Sequence, residues 1–384
     1  MSGRTEAPAL KIGLLRLTDA APVIVAHEFG FFAEEGLAVT LSVEPSWANV
    51  ADKLAYGFLD AAVILPPLAF AITLGLRGTP QSLLIPYHLS LGGNTITLAK
   101  DLAATVRTTA ASEGITMADA FARCFRQAAD APVMAVVHAY STHNLMLRYW
   151  LASAGIIAGR DLTLSVVPPA RSVEALESRR IIGFCAGAPW GDVAARAGAG
   201  ATIATSHHVW RNAPEKAFAL RESWVRDNPG ALSGVLRALL RAAKFCDAPE
   251  NSAYTAALLS RREYLDVDSH AILSSLPGGG RSDTTSVFYR FAATFPWRSH
   301  ALWFLTQMAR WGLIDTAVSR RDLAFQVYRP DLYRAALEPT GEPVPLIDTK
   351  REGEHREPWT LPAAPTPIAM AADPFCDGAI FDPG

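Results

Sequence analysis

Five residues of this chain combine chemistry and placement that suit a small anion: Trp47, Asn94, His143, Gly187 and Lys216. Each lies at the end of a stretch that reads as a strand. Trp47 follows LSVEP, and Asn94 opens NTITLA after two glycines. His143 starts the helix that follows PVMAVVHA, and Gly187 closes IIGFCAG ahead of Trp190. Lys216 sits in PEKAFAL, where the chain returns to its first half. An indole N–H, a side-chain amide, an imidazole N–H and an ammonium are all donors, and a helix start adds free backbone N–H groups. Such a set suits a small oxyanion. Scattered polar residues mostly serve structure; the shared position at strand ends is what gives these weight. Asp19 is the nearest acid and is assigned to helix capping.

Catalytic signatures are absent from the sequence. There is no G-x-S-x-G, no H-E-x-x-H and no G-x-x-x-x-G-K-[ST]. PGGGRS (277–282) has glycines but no lysine, and reads as a flexible loop. His207 and His208 adjoin without a third ligand at metal spacing and read as a solvated pair. No catalytic residue, metal or cofactor is expected.

The elements that must hold the five residues follow an α/β rhythm. KIGLLRLT (11–18), LAVTLSVEP (37–45), DAAVILPP (60–67), LLIPYHL and NTITLA read as strands. VIVAHEFGFFAEEG, with Pro22 in its first turn and Gly36 at its stop, WANVADKLAYG behind Ser46, and LAFAITLGL read as helices. The rhythm repeats through PVMAVVHA, THNLMLRYWLASAG, DLTLSVVPP, ARSVEALESRR, IIGFCAG, WGDVAARAGAG and ATIATS. Parallel sheets with helices on both faces are predicted. The lobes divide as 8–100 for the first, 101–204 for the second, and 205–384 for the return to the first with a helical region and an extended tail. Leu236, Leu239, Leu240 and Ala243 mark a helix at 232–247, and SHALWFLTQMARWGLI another. Ligands of open α/β sheets sit beyond strand ends, and clefts between lobes are common small-molecule sites.

Length and composition agree. A chain of 384 residues is too long for one core. Half of it is hydrophobic and 19% charged, a well-cored protein with a net charge of −2. That balance argues against a large basic nucleic-acid footprint, though not against a small local one. Cys124, Cys185, Cys246 and Cys376 form no C-x-x-C pair and read as buried free thiols in a reducing compartment. No run approaches the ~20 apolar residues of a membrane span. MSGRTEAPALKIGLLRLT carries no apolar leader segment, so a cytoplasmic protein is expected.

LTDAAPVIVAHEFGFFAEEG, SWANVADKL, STHNLMLRYWLASAGI, VVPP, FCAGAPW, VWRNAPEKAFALR, FPWRSHALWFL, VYRPDLYRAAL and the terminal DGAIFDPG occur in order along nearly the whole chain. In these motifs the sequence resembles the nitrate/bicarbonate-binding proteins of ABC transporters. The resemblance implies a two-lobed type II periplasmic-binding-protein fold that closes on one planar anion. It implies a pocket of Trp47, Asn94, His143, Gly187 and Lys216, and a tail that wraps the first lobe. Asn94 stands where family members often have Gln, and Ala188 where they usually have Glu.

Nitrate carries no proton and takes only donors, whereas bicarbonate wants one acceptor. The pocket so read contains no acid, which favours nitrate or nitrite. The missing leader resembles the NasS-type cytoplasmic sensors. Those release an RNA-binding antiterminator partner of the NasT type when the anion closes the cleft. A transporter receptor is the alternative. An enzyme of the same fold would need a nucleophile and base that the sequence does not show.

Overall fold

The computed structural model describes residues 7–126, 132–280, 283 and 285–384. The first six residues of the supposed leaderless N-terminus, and Arg281 and Ser282 of PGGGRS, lie outside that set.

Apolar runs rich in β-branched residues form two five-stranded sheets. The first holds β1 (Ala9–Leu14), β2 (Ala38–Val43), β3 (Ala61–Ile64), β4 (Leu83–His88) and β10 (Ala217–Arg221), in the order β2-β1-β3-β10-β4. The second holds β5 (Asn94–Ala99), β6 (Val133–Val136), β7 (Thr163–Val166), β8 (Gly183–Gly187) and β9 (Gly200–Thr205), in the order β7-β6-β8-β5-β9. β1 pairs parallel with β2 and β3, and β6 with β7 and β8. β10 runs antiparallel to both its neighbours, and so does β5. The sheets are therefore mixed where the rhythm predicts parallel ones. A βαβ unit forces its second strand parallel, but β5 and β10 each arrive from the opposite lobe without a crossover helix.

The strand at 94–99, grouped by sequence with the first lobe, hydrogen-bonds in the second sheet. The chain crosses just before it through Gly92 and Gly93, at φ of 74° and 86°. A Cβ on Gly93 would sit 2.6 Å from Ser286 Oγ, so that turn needs glycine on two counts. Leu89 N donates to Lys216 O, Glu215 N to Ser90 O and Gly92 N to Ala213 O, which binds the outgoing and returning crossings side by side.

Helix ends aim residues at the junction. Ser46 caps the helix Trp47–Ala55 and Ser141 caps Thr142–Ser153, each accepting from the backbone N–H three residues on. Pro66 and Pro67 begin the helix Pro66–Thr73 and do not break β3. The helix expected through residue 36 is instead split at Gly30, φ 72°, into Ala21–Glu28 and Phe31–Glu34. Asp19 caps neither the short turn Thr18–Ala20 nor the helix after it.

The helix Ala231–Asp247 buries Leu236, Leu239, Leu240 and Ala243 in the core of the first lobe. The tail wraps further than the first lobe. Phe375 stacks on Trp210 with centroids 4.7 Å apart, and Tyr149 of the second lobe donates its hydroxyl to Asp377 at 2.9 Å. Cys185 and Cys246 are buried, Cys376 is exposed, and all four cysteines are free thiols. Among the described residues no helix is long and apolar enough to cross a membrane.

Candidate ligand site between the two sheets

The five residues converge where the sheets meet. Asn94 and Gly187 are register partners at the ends of β5 and β8. His143 lies in the first turn of Thr142–Ser153, and Lys216 immediately precedes β10. Trp47 opens its helix on the first-lobe side, with Lys216 Nζ 5.6 Å from its ring centroid. Trp47, Asn94, His143 and Lys216 are all buried. A Cβ on Gly187 would lie 3.5 Å from both Asp19 Oδ2 and His143 Nε2, and 3.3 Å from Leu17 Cδ2. Glycine there leaves an atom-sized gap bounded by both lobes.

Two carboxylates share this space. Asp19 Oδ2 is 2.8 Å from Lys216 Nζ. Glu215 pairs with Lys216 through Oε1, accepts from Thr142 Oγ1 at 2.7 Å, and accepts from Asn94 Nδ2 through Oε2. His143 Nε2 stands 3.6 Å from Glu215 Oε1, too far for a hydrogen bond. The idea of an acid-free pocket is thus corrected, and with it the inference that nitrate is favoured because every contact must be a donor. Asn94 Nδ2 gives one of its two N–H donors to Glu215, which leaves one for a ligand. Glu215 and Thr142 were within reach of sequence reasoning: they adjoin Lys216 in PEK and His143 in THN.

The protonation states follow from burial. Burial pushes the Asp19 and Glu215 carboxyls above the usual range, against the pull of Lys216. Burial alone would lower Lys216, but its two carboxylates outweigh that and hold the ammonium charged. His143 is held well below its ordinary value by burial and then by Lys216, so the imidazole is neutral, with one donor and one acceptor nitrogen. Several buried polar atoms have no protein partner: Asp19 Oδ1, Trp47 Nε1, Asn94 Oδ1, and both ring nitrogens of His143. An orphaned buried group costs about 1–3 kcal/mol. Such a concentration at one junction points to a polar ligand.

Other candidates resolve structurally. His208 is exposed, as expected, and also closes a capping box with Thr205. Among the described residues no cluster of three or more His, Cys, Asp or Glu could hold a metal ion.

The model of the NMT1-like family matches residues 3–260. The nitrate/nitrite binding protein NrtA of Synechocystis sp. is 32% identical over 398 residues, covering 98% of this chain and 83% of its own. The nitrate import ATP-binding protein NrtC of the same organism is 35% identical over 358 residues, 90% of this chain. This chain spans only about half of NrtC, 51% of its length. The crystal structure of the periplasmic nitrate-binding protein NrtA from Synechocystis superposes with a TM-score of 0.85 at 30% identity, covering 98% of this chain and 96% of that one. The chain belongs to the NMT1-like family, among the nitrate/bicarbonate-binding proteins of ABC transporters, and has their periplasmic-binding-protein fold.

Proposed function

We propose that this protein binds a small planar oxyanion, nitrate or nitrite, and serves as the substrate-binding component of an ABC importer. The observation that carries the reading is the group of unpartnered buried polar atoms around Gly187, contributed by both lobes. Trp47 Nε1, the N–H of His143 and the second N–H of Asn94 are the free donors, and Lys216 supplies positive charge. Relatives of which this chain covers 83% and 84%, named as nitrate/nitrite binding proteins, support the choice of anion.

Bicarbonate is a second reading, favoured by one feature. Asp19 Oδ1 is a buried acceptor without a partner and would take the bicarbonate O–H. Calorimetric titration with nitrate, nitrite and bicarbonate separates the two. Tight bicarbonate binding without nitrate heat would overturn the nitrate assignment.

The same closure would serve a cytoplasmic sensor that hands its state to an RNA-binding antiterminator. Two relatives favour the receptor, because they are named for nitrate import and bicarbonate transport, each about half spanned by this chain. The roles differ in compartment and partner. Fractionation of source cells, with co-purification in the presence and absence of nitrate, distinguishes them. A cytoplasmic protein that releases a partner on nitrate addition would favour the sensor.

A further inference from the structure

The charge of the site conflicts with the charge of its ligand. Asp19 and Glu215 set two carboxylates against the single ammonium of Lys216, at 2.8 Å from Asp19 and in contact with Glu215. With both carboxylates ionised and His143 neutral, the site would carry one surplus negative charge before any anion enters. A monovalent anion would double that charge in a space where these groups are almost wholly excluded from water. Helix ends offset part of it, but each supplies only about half a charge, and Asp19 already occupies the approach to Ala21–Glu28.

We propose that the anion is taken up together with one proton from solvent, held by the His143–Glu215 pair. The geometry fits. His143 Nε2, which bounds the gap beside Gly187, lies 3.6 Å from Glu215 Oε1, and neither ring nitrogen has a hydrogen-bond partner. A proton on this pair turns the site neutral and lets both ring nitrogens, or the carboxyl, donate. The anion then restores one net negative charge and no more. No bond to the anion's own atoms is made or broken.

The other titratable groups around the pair are accounted for. Asp19, ahead of Ala21–Glu28, pairs with Lys216, ahead of β10, at 2.8 Å, and burial raises its carboxyl against the pull of that ammonium. Cys185 on β8 is buried, and burial first, then Glu215, pushes its thiol up, so it adds no charge. Thr142 and Asn94 donate to Glu215 as neutral groups. Burial also biases Glu215 toward its protonated form, the direction that proton uptake needs.

This inference rests on the site being an anion site, and the test separates the two. The intact protein is titrated calorimetrically with nitrate, nitrite and bicarbonate in phosphate and in Tris at one pH near neutrality. The slope of observed heat against buffer ionisation heat counts protons. The expected result is one proton taken up per anion, with Kd weakening about tenfold per pH unit on the alkaline side. Glu215→Gln should abolish the uptake and flatten the pH dependence. Anion binding whose heat is independent of buffer overturns the proton coupling and leaves the anion site standing. No heat with any of the three anions overturns both. A Glu215→Gln protein that binds and still takes up one proton overturns the role of Glu215. The wild-type measurement decides the coupling whether or not the variant folds.

Discussion

Trp190 of the second lobe donates its indole N–H to the carbonyl oxygen of Arg16 in the first, at 3.0 Å. Thr18 N donates to Ala188 O at 2.9 Å alongside it. These bonds flank Gly187 and bridge the two lobes directly over the site. Any separation of the lobes at this junction would break both bonds. Trp190→Phe keeps most of the aromatic volume and deletes one bridge. The closed state should lose about 0.5–1.5 kcal/mol, and nitrate affinity should fall up to about tenfold through the open–closed equilibrium. Calorimetry measures this directly; wild-type affinity in the variant would show that the bridge does not bias closure.

Gly187→Ala tests the gap itself. The added methyl meets Asp19 Oδ2 and His143 Nε2 at ordinary contact distance, and Leu17 Cδ2 slightly tighter. The fold should tolerate it, with a thermal midpoint close to wild type. The anion should not, because the methyl fills space between the two lobes that the ligand needs. Affinity should drop by about 1–3 kcal/mol, the usual cost of overpacking. A variant that binds nitrate normally would move the ligand away from Gly187.

His143 and Lys216 should separate binding from stability. His143→Ala removes a neutral ring whose nitrogens have no protein partner. Anion affinity should weaken by about 1–3 kcal/mol, with a smaller change in urea midpoint. Lys216→Ala leaves Asp19 and Glu215 buried without their cation. Breaking such a pair typically costs about 3–5 kcal/mol, so both the urea midpoint and the affinity should fall. Equal stability losses in the two variants would contradict the charge arrangement described for the site.

Much of this arrangement was legible in sequence because it is local. Ser46 and Ser141 announce their helices by type and spacing, and Trp47 and His143 are placed by those caps. What was not legible depends on which sheet a strand joins. LLIPYH and NTITLA read alike, yet one pairs in the first sheet and the other in the second. No periodicity separates them, because both are buried strands. The same limit hid the role of Asp19. A helix start makes capping the natural reading for an aspartate, and its ion partner lies 197 positions away in Lys216. Glu215 escaped because the donor pattern drew attention to the lysine beside it.

The docked tail should set the acid limit of stability. Lys350 contacts Glu352 and lies 3.0 Å from Asp373, and Ser299 donates to Glu352 at 2.6 Å, all in a buried cluster against His300. Burial would raise the Glu352 carboxyl, but Lys350 and then His300 outweigh it and hold it at about 2, below its ordinary 4.5. A depressed carboxyl contributes stability that is present above the unfolded value and lost as pH falls from about 4.5 toward 2. Integrated, that is of order 3 kcal/mol. Lys350 is raised above 10.5 by the same carboxylates, against burial, so its contribution is present below that value and lost only as pH rises beyond it. Tail docking should therefore hold across neutral pH and weaken first on the acid side. Limited proteolysis of the segment after residue 340, followed from neutral pH down to the acid range, should show cleavage rising as pH falls below 4.5. Glu352→Gln should raise cleavage already at neutral pH and flatten its acid dependence. An unchanged acid profile in that variant would assign the acid limit to other carboxylates.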